Sequence, residues 1–294
     1  MIDKLEMFIA LAREEHFGRA AEACGVTQPS LSAAIRQLED QLGVQLVWRG
    51  SRFQGLTPEG QRALDWARRI VGDARALKAE MRAARHGLSG NLRLAAIPTA
   101  LPMVAALSGG LARRHPDLRV TVRAGASTDI MRMLDDLEID AGLSYLEGPL
   151  GRVTTVPLYD ERLVLVLRAD DPLAAQASIR WADTGDLPLC LLTPDMQNRR
   201  IVAEHLASAG VTVAPRIEAS SVTVLIAHVL AGGWVTILPL QAAQAFLGDG
   251  RLTARPLVDP EARHTVGLIA PVREPHTPVL DALLSEAAAL ARQV

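Results

Sequence analysis

Through the first 86 residues the apolar positions fall at three- and four-residue steps; beyond them they fall in short runs separated by helical stretches. Leu5, Phe8, Ile9 and Leu11-Ala12 predict an amphipathic helix over residues 3–14. Residues 16–46, HFGRAAEACGVTQPSLSAAIRQLEDQLGVQL, predict a short helix, a turn and a second helix. Ala20-Ala21 offers a small face for close packing. Gly25 suits the left-handed residue after a helix, Thr27 an N-cap and Pro29 a first helical turn. Leu31, Ile35, Leu38 and Leu42 form a stripe expected to be buried, which leaves Gln28, Ser30, Ser32, Ala33, Arg36 and Gln37 facing solvent. Val44 to Val47 and Phe53 to Leu56 flank a turn at Gly50-Ser51, a small hairpin or wing. Thr57-Pro58-Glu59 opens a helix running to about His86, roughly 40 Å long at 1.5 Å per residue. Its seam is Leu64, Ala67, Val71, Ala74, Leu77, Met81 and Ala84. With the winged unit complete before it, that seam is expected to meet a second copy of itself. Gly87 to Gly90 ends the helix as a hinge.

From Asn91 onward strands and helices alternate. Strands are expected at 92–97, 118–123 and 140–146, with helices over 101–114 and 128–137 between them. This order predicts a doubly wound parallel sheet with right-handed crossovers. ERLVLVLR (161–168) leaves that sheet. LPLCLL (187–192), 198–209, RIEA (216–219), 222–231 and WVTILP (234–239) build a second unit. HTVGLIA (264–270) returns, and a helix over 278–292 closes the chain. Two α/β lobes joined by two crossing strands enclose a cleft.

Composition narrows this only a little. The formal charge is −2 over 294 residues. Residues 1–86 hold 13 Lys and Arg against 11 Asp and Glu, so the basic bias has the sign that DNA requires but is weak. Arg supplies nearly all the positive charge, which suits bidentate contact to phosphate or guanine. Aromatics are scarce, which disfavours a nucleic-acid surface built on stacking. With two cysteines, no leader and no apolar run of membrane length, a soluble cytoplasmic protein with no membrane partner is expected.

The run from Phe8 through Ala20-Ala21, Gln28-Pro29-Ser30-Leu31-Ser32, Ile35, Leu38-Glu39 and Leu42-Gly43 to Leu56-Thr57 and Gly60 resembles the N-terminus of LysR-type transcriptional regulators. Two departures stand out: Ala33 replaces a long polar residue common in relatives, and Val47-Trp48 replaces the usual Phe and its charged follower. The resemblance implies an α/β chain: an N-terminal winged helix-turn-helix with linker helix, then a two-lobed periplasmic-binding-protein-like (type 2) effector domain. The corresponding boundaries are 1–57, 58–86, a hinge at 87–90, and 91–294. Lobe I is then about 91–160 with 266–294, and lobe II about 161–265. It further implies DNA contacts at Thr27, Gln28, Pro29, Ser30, Ser32, Ala33 and Arg36, with Arg49 and Arg52 on the wing. The implied partners are double-stranded promoter DNA, a second copy through the linker helix (tetramers are usual in the family), a small-molecule effector and RNA polymerase.

Ligands in open α/β sheets bind beyond the carboxyl ends of the strands. Four such ends carry small polar residues where helices begin: Pro98-Thr99-Ala100, Ser127-Thr128, Thr193 to Asn198 with Asp195, and Ser220 to Thr223 with Ser221. Helix N-termini suit an anion. Taken singly, an ordinary N-cap is the better reading of each hydroxyl by roughly three to one; convergence on one cleft favours a ligand. The resemblance implies inducer contacts at Thr99, Thr128 and the loop at Thr193. Arg199 and Arg200 could neutralise an acidic ligand, though exposed arginines at a helix start are commoner.

IPTALPM (97–103) is similar to the peroxide-sensing branch of the family, which needs a reactive cysteine after LCLLTPD; here that loop holds Met196, Gln197 and Asn198. Cys24 and Cys190 are expected to be small packing residues. A redox-responsive regulator and a binding protein without regulatory output remain the alternatives. The seven histidines show no metal-ligand spacing, and no nucleophile, phosphate-loop or dinucleotide motif occurs. Glycines in LAGGWV (230–235) end a helix before a strand, the reverse of a phosphate loop. No catalytic residue, metal or cofactor is therefore expected.

Overall fold

The computed structural model describes residues 1–48, 53–148 and 150–292, which divide into two compact units. The first is built on Met1–Ser89. Its helices are α1 (Ile2–Glu14), α2 (Phe17–Ala23), α3 (Gln28–Leu42) and α4 (Pro58–His86). Local chemistry sets their ends. His16 Nδ1 accepts from the Gly18 and Arg19 amides and starts α2. Gly25, at φ 67°, turns the chain where a Cβ would be strained. Thr27 Oγ1 accepts from the Ser30 amide and starts α3.

Phe8, Leu11, Ala20, Leu31, Ile35, Leu38 and Leu46 fill the core of this unit. The buried Glu39 accepts from the Leu46 amide at 2.8 Å and the Val47 amide at 3.3 Å, which fastens the strand after α3 to that helix. Thr57 Oγ1 accepts from the Gly60 amide at 2.9 Å and donates to the Gln45 carbonyl at 2.6 Å. Gly60 must be glycine, because a Cβ there would stand 2.0 Å from the Leu46 carbonyl oxygen.

Two sequence expectations change in this unit. Leu42 is 45% exposed, because the last turn of α3 runs past the core that Leu31, Ile35 and Leu38 fill. Among the described residues the hairpin shows an antiparallel bridge, Val47 to Leu56, with the Trp48 amide donating to the Gly55 carbonyl. Its turn at Gly50-Ser51, and Arg49 and Arg52, lie outside the described residues. The α4 seam is also split. Leu64, Ala67 and Val71 are buried where α4 packs on α1, so the winged unit needs this half of the helix to close its core. Leu77, Met81 and Ala84 are exposed, and Ala74 is half-buried.

The second unit opens with β1 (Gly90–Ala96), α5 (Leu101–Arg114), β2 (Leu118–Ala124), α6 (Ser127–Asp135), β3 (Ala141–Tyr145) and β4 (Val153–Arg168). It continues through β5 (Ile179–Arg180), β6 (Leu189–Leu192), α7 (Gln197–Ser208), β7 (Ile217–Ala219), α8 (Val222–Ala231) and β8 (Val235–Pro239). It ends with α9 (Leu240–Gln244), β9 (Leu252–Val258), β10 (Arg263–Pro271) and α10 (Pro278–Ala291).

The strand order is β2-β1-β3-β10-β4-β8-β6-β7. β1 pairs in parallel with β2 and β3, and β6 in parallel with β7 and β8. Antiparallel β10 and β4 join the two parallel sets, so the sheet is mixed, not parallel throughout. β4 is the crossing strand: Val153–Arg162 pair with β10, while Leu163–Arg168 pair with β8 and β9. It begins eight residues before the expected Glu161, because its first half is partly exposed and carries polar residues and Pro157 rather than an apolar run. β9, β5 and α9 were not expected at all.

Candidate DNA interface and effector cleft

At the N-terminus of α3, Thr27, Gln28, Pro29, Ser30 and Arg36 are exposed, and Ser32 and Ala33 are half-buried on the same side. Thr27 and Ser30 bond each other through their hydroxyls at 2.9 Å. Gln28 and Arg36 form no hydrogen bond or ion pair with the described residues. A turn that leaves Gln and Arg uncommitted, on a helix anchored by Glu39, can enter a major groove with the helix end held rigid.

In the second unit a cavity of about 240 Å³ opens between the lobes. Pro98, Leu101 and Pro102 form one wall, and Ser221, Val222 and Phe246 the other. Among the described residues no Lys, Arg or His lines it. Positive potential comes instead from the N-termini of α5 and α8, whose first residues reach the cavity. Ser221 occupies the N-cap position of α8, yet its hydroxyl makes no capping bond.

Of the nine expected effector residues, Pro98 and Ser221 line this cavity; the others do not. Thr99 and Asn198 meet in a buried polar cluster instead. Tyr145 donates to Glu161 Oε2 at 2.6 Å, and Asn198 Nδ2 donates to the Tyr145 oxygen at 3.1 Å. Burial pushes Glu161 up to about 7, against the opposing pull of the Tyr145 hydroxyl. Burial also pushes both Tyr145 and Tyr159 upward. Thr99 Oγ1 pulls the same carboxyl down as well, from a position short of full hydrogen-bond geometry. Among the described residues the buried atoms Ser127 Oγ and Thr193 Oγ1 have no hydrogen-bond partner, while Tyr159, like Thr99, acts on the Glu161 carboxyl from such a position. Ala100 is buried, while Thr128 and Asp195 are exposed. Tyr145, Tyr159 and Glu161 were missed in the sequence. Their only signal is an acid and two phenols beside otherwise apolar strands.

The histidines are not all scattered. His205 and His264 come within 3.1 Å, and Glu147 bonds His264 at 2.7 Å. Burial and the neighbouring His264 push His205 down. Cys24 is half-buried in the first unit and Cys190 fully buried in the second. Burial pushes both thiols up, Cys190 to about 11.

The family description "Bacterial regulatory helix-turn-helix protein, lysR family" matches residues 2–61, and "LysR substrate binding domain" matches residues 85–292. The chain belongs to the LysR family. It is a LysR-type DNA-binding transcriptional regulator, with the helix-turn-helix and two-lobed α/β architecture that family entails. It is 32% identical over 268 residues to a probable hydrogen peroxide-inducible genes activator of Mycobacterium avium, covering 90% of this chain and 86% of that protein. It is 30% identical over 287 residues to the DNA-binding transcriptional dual regulator OxyR of Escherichia coli strain K12, covering 96% and 94%. Among solved structures, a full-length OxyR cysteine variant from Pseudomonas aeruginosa aligns with a TM-score of 0.76 and 29% identity, covering 98% of this chain and 94% of that one. These relatives are transcriptional regulators. No helix among the described residues of this LysR-type regulator is long and apolar enough to cross a membrane.

Proposed function

We propose that this regulator reads promoter DNA with the first two turns of α3 and is controlled by a small molecule in the cavity between its lobes. Gln28, Ser32 and Arg36 read bases; Thr27, Pro29, Ser30 and Ala33 set the fit to phosphate and thymine methyl groups, aided by Arg49 and Arg52. Residues 1–57 act as the DNA-binding part, 58–86 as the dimerising linker, 87–90 as a hinge and 91–294 as the effector part. Pairs assemble into tetramers that bend DNA and expose or mask the promoter to RNA polymerase.

The observation that carries the effector reading is the uncommitted Ser221 hydroxyl. Ser221 fails to cap its helix where it lines the cavity, between otherwise largely apolar walls. Apolar walls and two helix N-termini fit a small, mostly apolar molecule with one acceptor group such as a carboxylate. The test is a thermal-shift screen of small carboxylic acids on the full chain. A true effector raises the melting temperature, and Leu101→Trp, which fills the cavity, abolishes that rise. A shift that survives the substitution would place the ligand elsewhere.

A redox reading draws on the names of the relatives, which are peroxide-inducible activators. Cys190 is sealed in β6 with its thiol donating to the Val235 carbonyl, and Cys24 belongs to the other unit. These thiols favour packing over switching.

A further inference from the structure

His205 lies on α7 and His264 at the start of β10, and their Nε2 atoms are 3.1 Å apart. Glu147, just beyond β3, accepts from His264 Nδ1 at 2.7 Å. The neutral His264 ring therefore carries its proton on Nδ1 and turns an Nε2 lone pair toward His205. His205 is stacked on Trp181, with ring centroids 5.0 Å apart and planes at 21°. His264 stands edge-on to Tyr145 at 89°. Both rings are thus locked in orientation, and both are only half-buried, so ions reach them.

We propose that His205 and His264 form a two-histidine site for a divalent first-row transition-metal ion, which ties α7 to β10. Two nitrogens 3.1 Å apart, each about 2.0–2.1 Å from one ion, subtend about 98° at it, between octahedral and tetrahedral angles. Glu147 stands where a carboxylate commonly backs a metal-binding imidazole, fixing its tautomer and raising its basicity. Imidazole nitrogen selects Zn²⁺, Cu²⁺ or Ni²⁺ over Mg²⁺ and Ca²⁺, which take oxygen ligands. Among the described residues no three His, Cys, Asp or Glu side chains converge on one ion. The protein therefore supplies two ligands and water completes the shell, which makes binding moderate and reversible.

Without metal, the pair is held by one shared proton, donated from His205 Nε2 to His264; the ion takes the place of that proton. Asn198, two turns before His205 on α7, already reaches Tyr145 at the end of β3. The metal therefore adds a second fastening of α7 to the strands, this one at β10, and restrains the movement of α7 against them.

The test is isothermal titration of the untagged full chain with Zn²⁺ and with Mg²⁺, plus the electron paramagnetic resonance spectrum of its Cu²⁺ complex. One Zn²⁺ per chain, no Mg²⁺, and copper coupled to two nitrogens are expected. His205→Phe keeps the stack on Trp181 but removes the lone pair, and His264→Gln removes the other. Each should weaken Zn²⁺ about tenfold or more and leave copper coupled to one nitrogen, while Glu147→Gln weakens Zn²⁺ about tenfold. Zn²⁺ affinity unchanged in both histidine variants overturns the proposal. So does the absence of two-nitrogen coupling in the unaltered protein, a readout that needs no variant to fold.

Discussion

The Tyr145 hydroxyl donates a 2.6 Å hydrogen bond to Glu161 Oε2, and each residue is 1% exposed. Burial pushes Glu161 from 4.5 up to about 7. Between those values the folded chain keeps a proton that the unfolded chain has released. The stability tied to that proton is complete below 4.5 and is lost as pH rises through about 7. A shift of this size corresponds to about 3 kcal/mol. Glu161→Gln keeps an acceptor for Tyr145 and does not ionise. Urea unfolding of both proteins at about pH 5 and about pH 8 should show the variant gaining on the native chain by roughly that amount at the higher pH. Parallel stability curves would exclude the buried acid as a titrating group.

Ser221 separates a structural hydroxyl from a functional one. It stands at the N-cap of α8 beside the cavity and makes no capping bond, so Ser221→Ala removes a polar atom that caps nothing within the protein. Stability should hold or rise by up to about 1 kcal/mol. Affinity for the effector should fall about fivefold to tenfold, the value of one lost hydrogen bond. Calorimetry with the screened carboxylate measures both. A destabilised variant with unchanged affinity would assign Ser221 to the fold alone.

At the other end of the chain, Gln28 and Arg36 are exposed and uncommitted. A good bidentate base contact is worth about 1–3 kcal/mol, so Gln28→Ala with Arg36→Ala should weaken specific binding about a hundredfold or more at fixed salt. Binding to a scrambled duplex should change far less, because phosphate contacts persist. Fluorescence anisotropy with the protein's own upstream region makes the comparison, and equal losses on both duplexes would move specificity away from α3.

The thiols make a prediction against a cysteine switch. With Cys190 buried and pushed up to about 11, and Cys24 raised by burial, both are poor thiolates at neutral pH. Peroxide treatment followed by peptide mass spectrometry should recover two free cysteines, and Cys190→Ala should leave DNA binding unchanged in oxidised and reduced buffer. A peptide containing Cys24 joined to Cys190 would reinstate the redox reading.

What was legible in the sequence is what neighbours determine. Thr27 with Ser30, Gly25 after α2, and Thr57 with Gly60 are contacts within a few residues, so helix ends could be read directly. What was illegible is made by distant segments. Tyr145, Glu161 and Asn198 come from β3, β4 and α7, and His205 meets His264 across 59 residues. Pattern also misjudged the long helix. Leu64 and Leu77 were read as one apolar seam, yet one is 4% exposed and the other 59%, because thirteen residues turn an α-helix to a different side: Leu64 faces α1, while Leu77 falls on the side of exposed Trp66 and Ile70.

That exposed side leads to the last prediction. Trp66, Ile70, Leu77 and Met81 are all exposed on α4 and recur at helical spacing along one side. Large apolar side chains grouped in this way mark a protein interface rather than a solvated face. The remaining exposed positions of α4 are mostly charged, so the stripe is bounded as a coiled-coil seam is. Leu77→Lys with Met81→Lys places two like charges in each helix of the expected pair without touching Leu64, Ala67 or Val71, which close the core of the unit. The variant should therefore keep its helix content by circular dichroism and lose self-association by sedimentation velocity. Promoter affinity should fall with it, because a monomer engages one half-site and forfeits the gain from binding both together. An assembly of unchanged mass would show that copies meet through another surface.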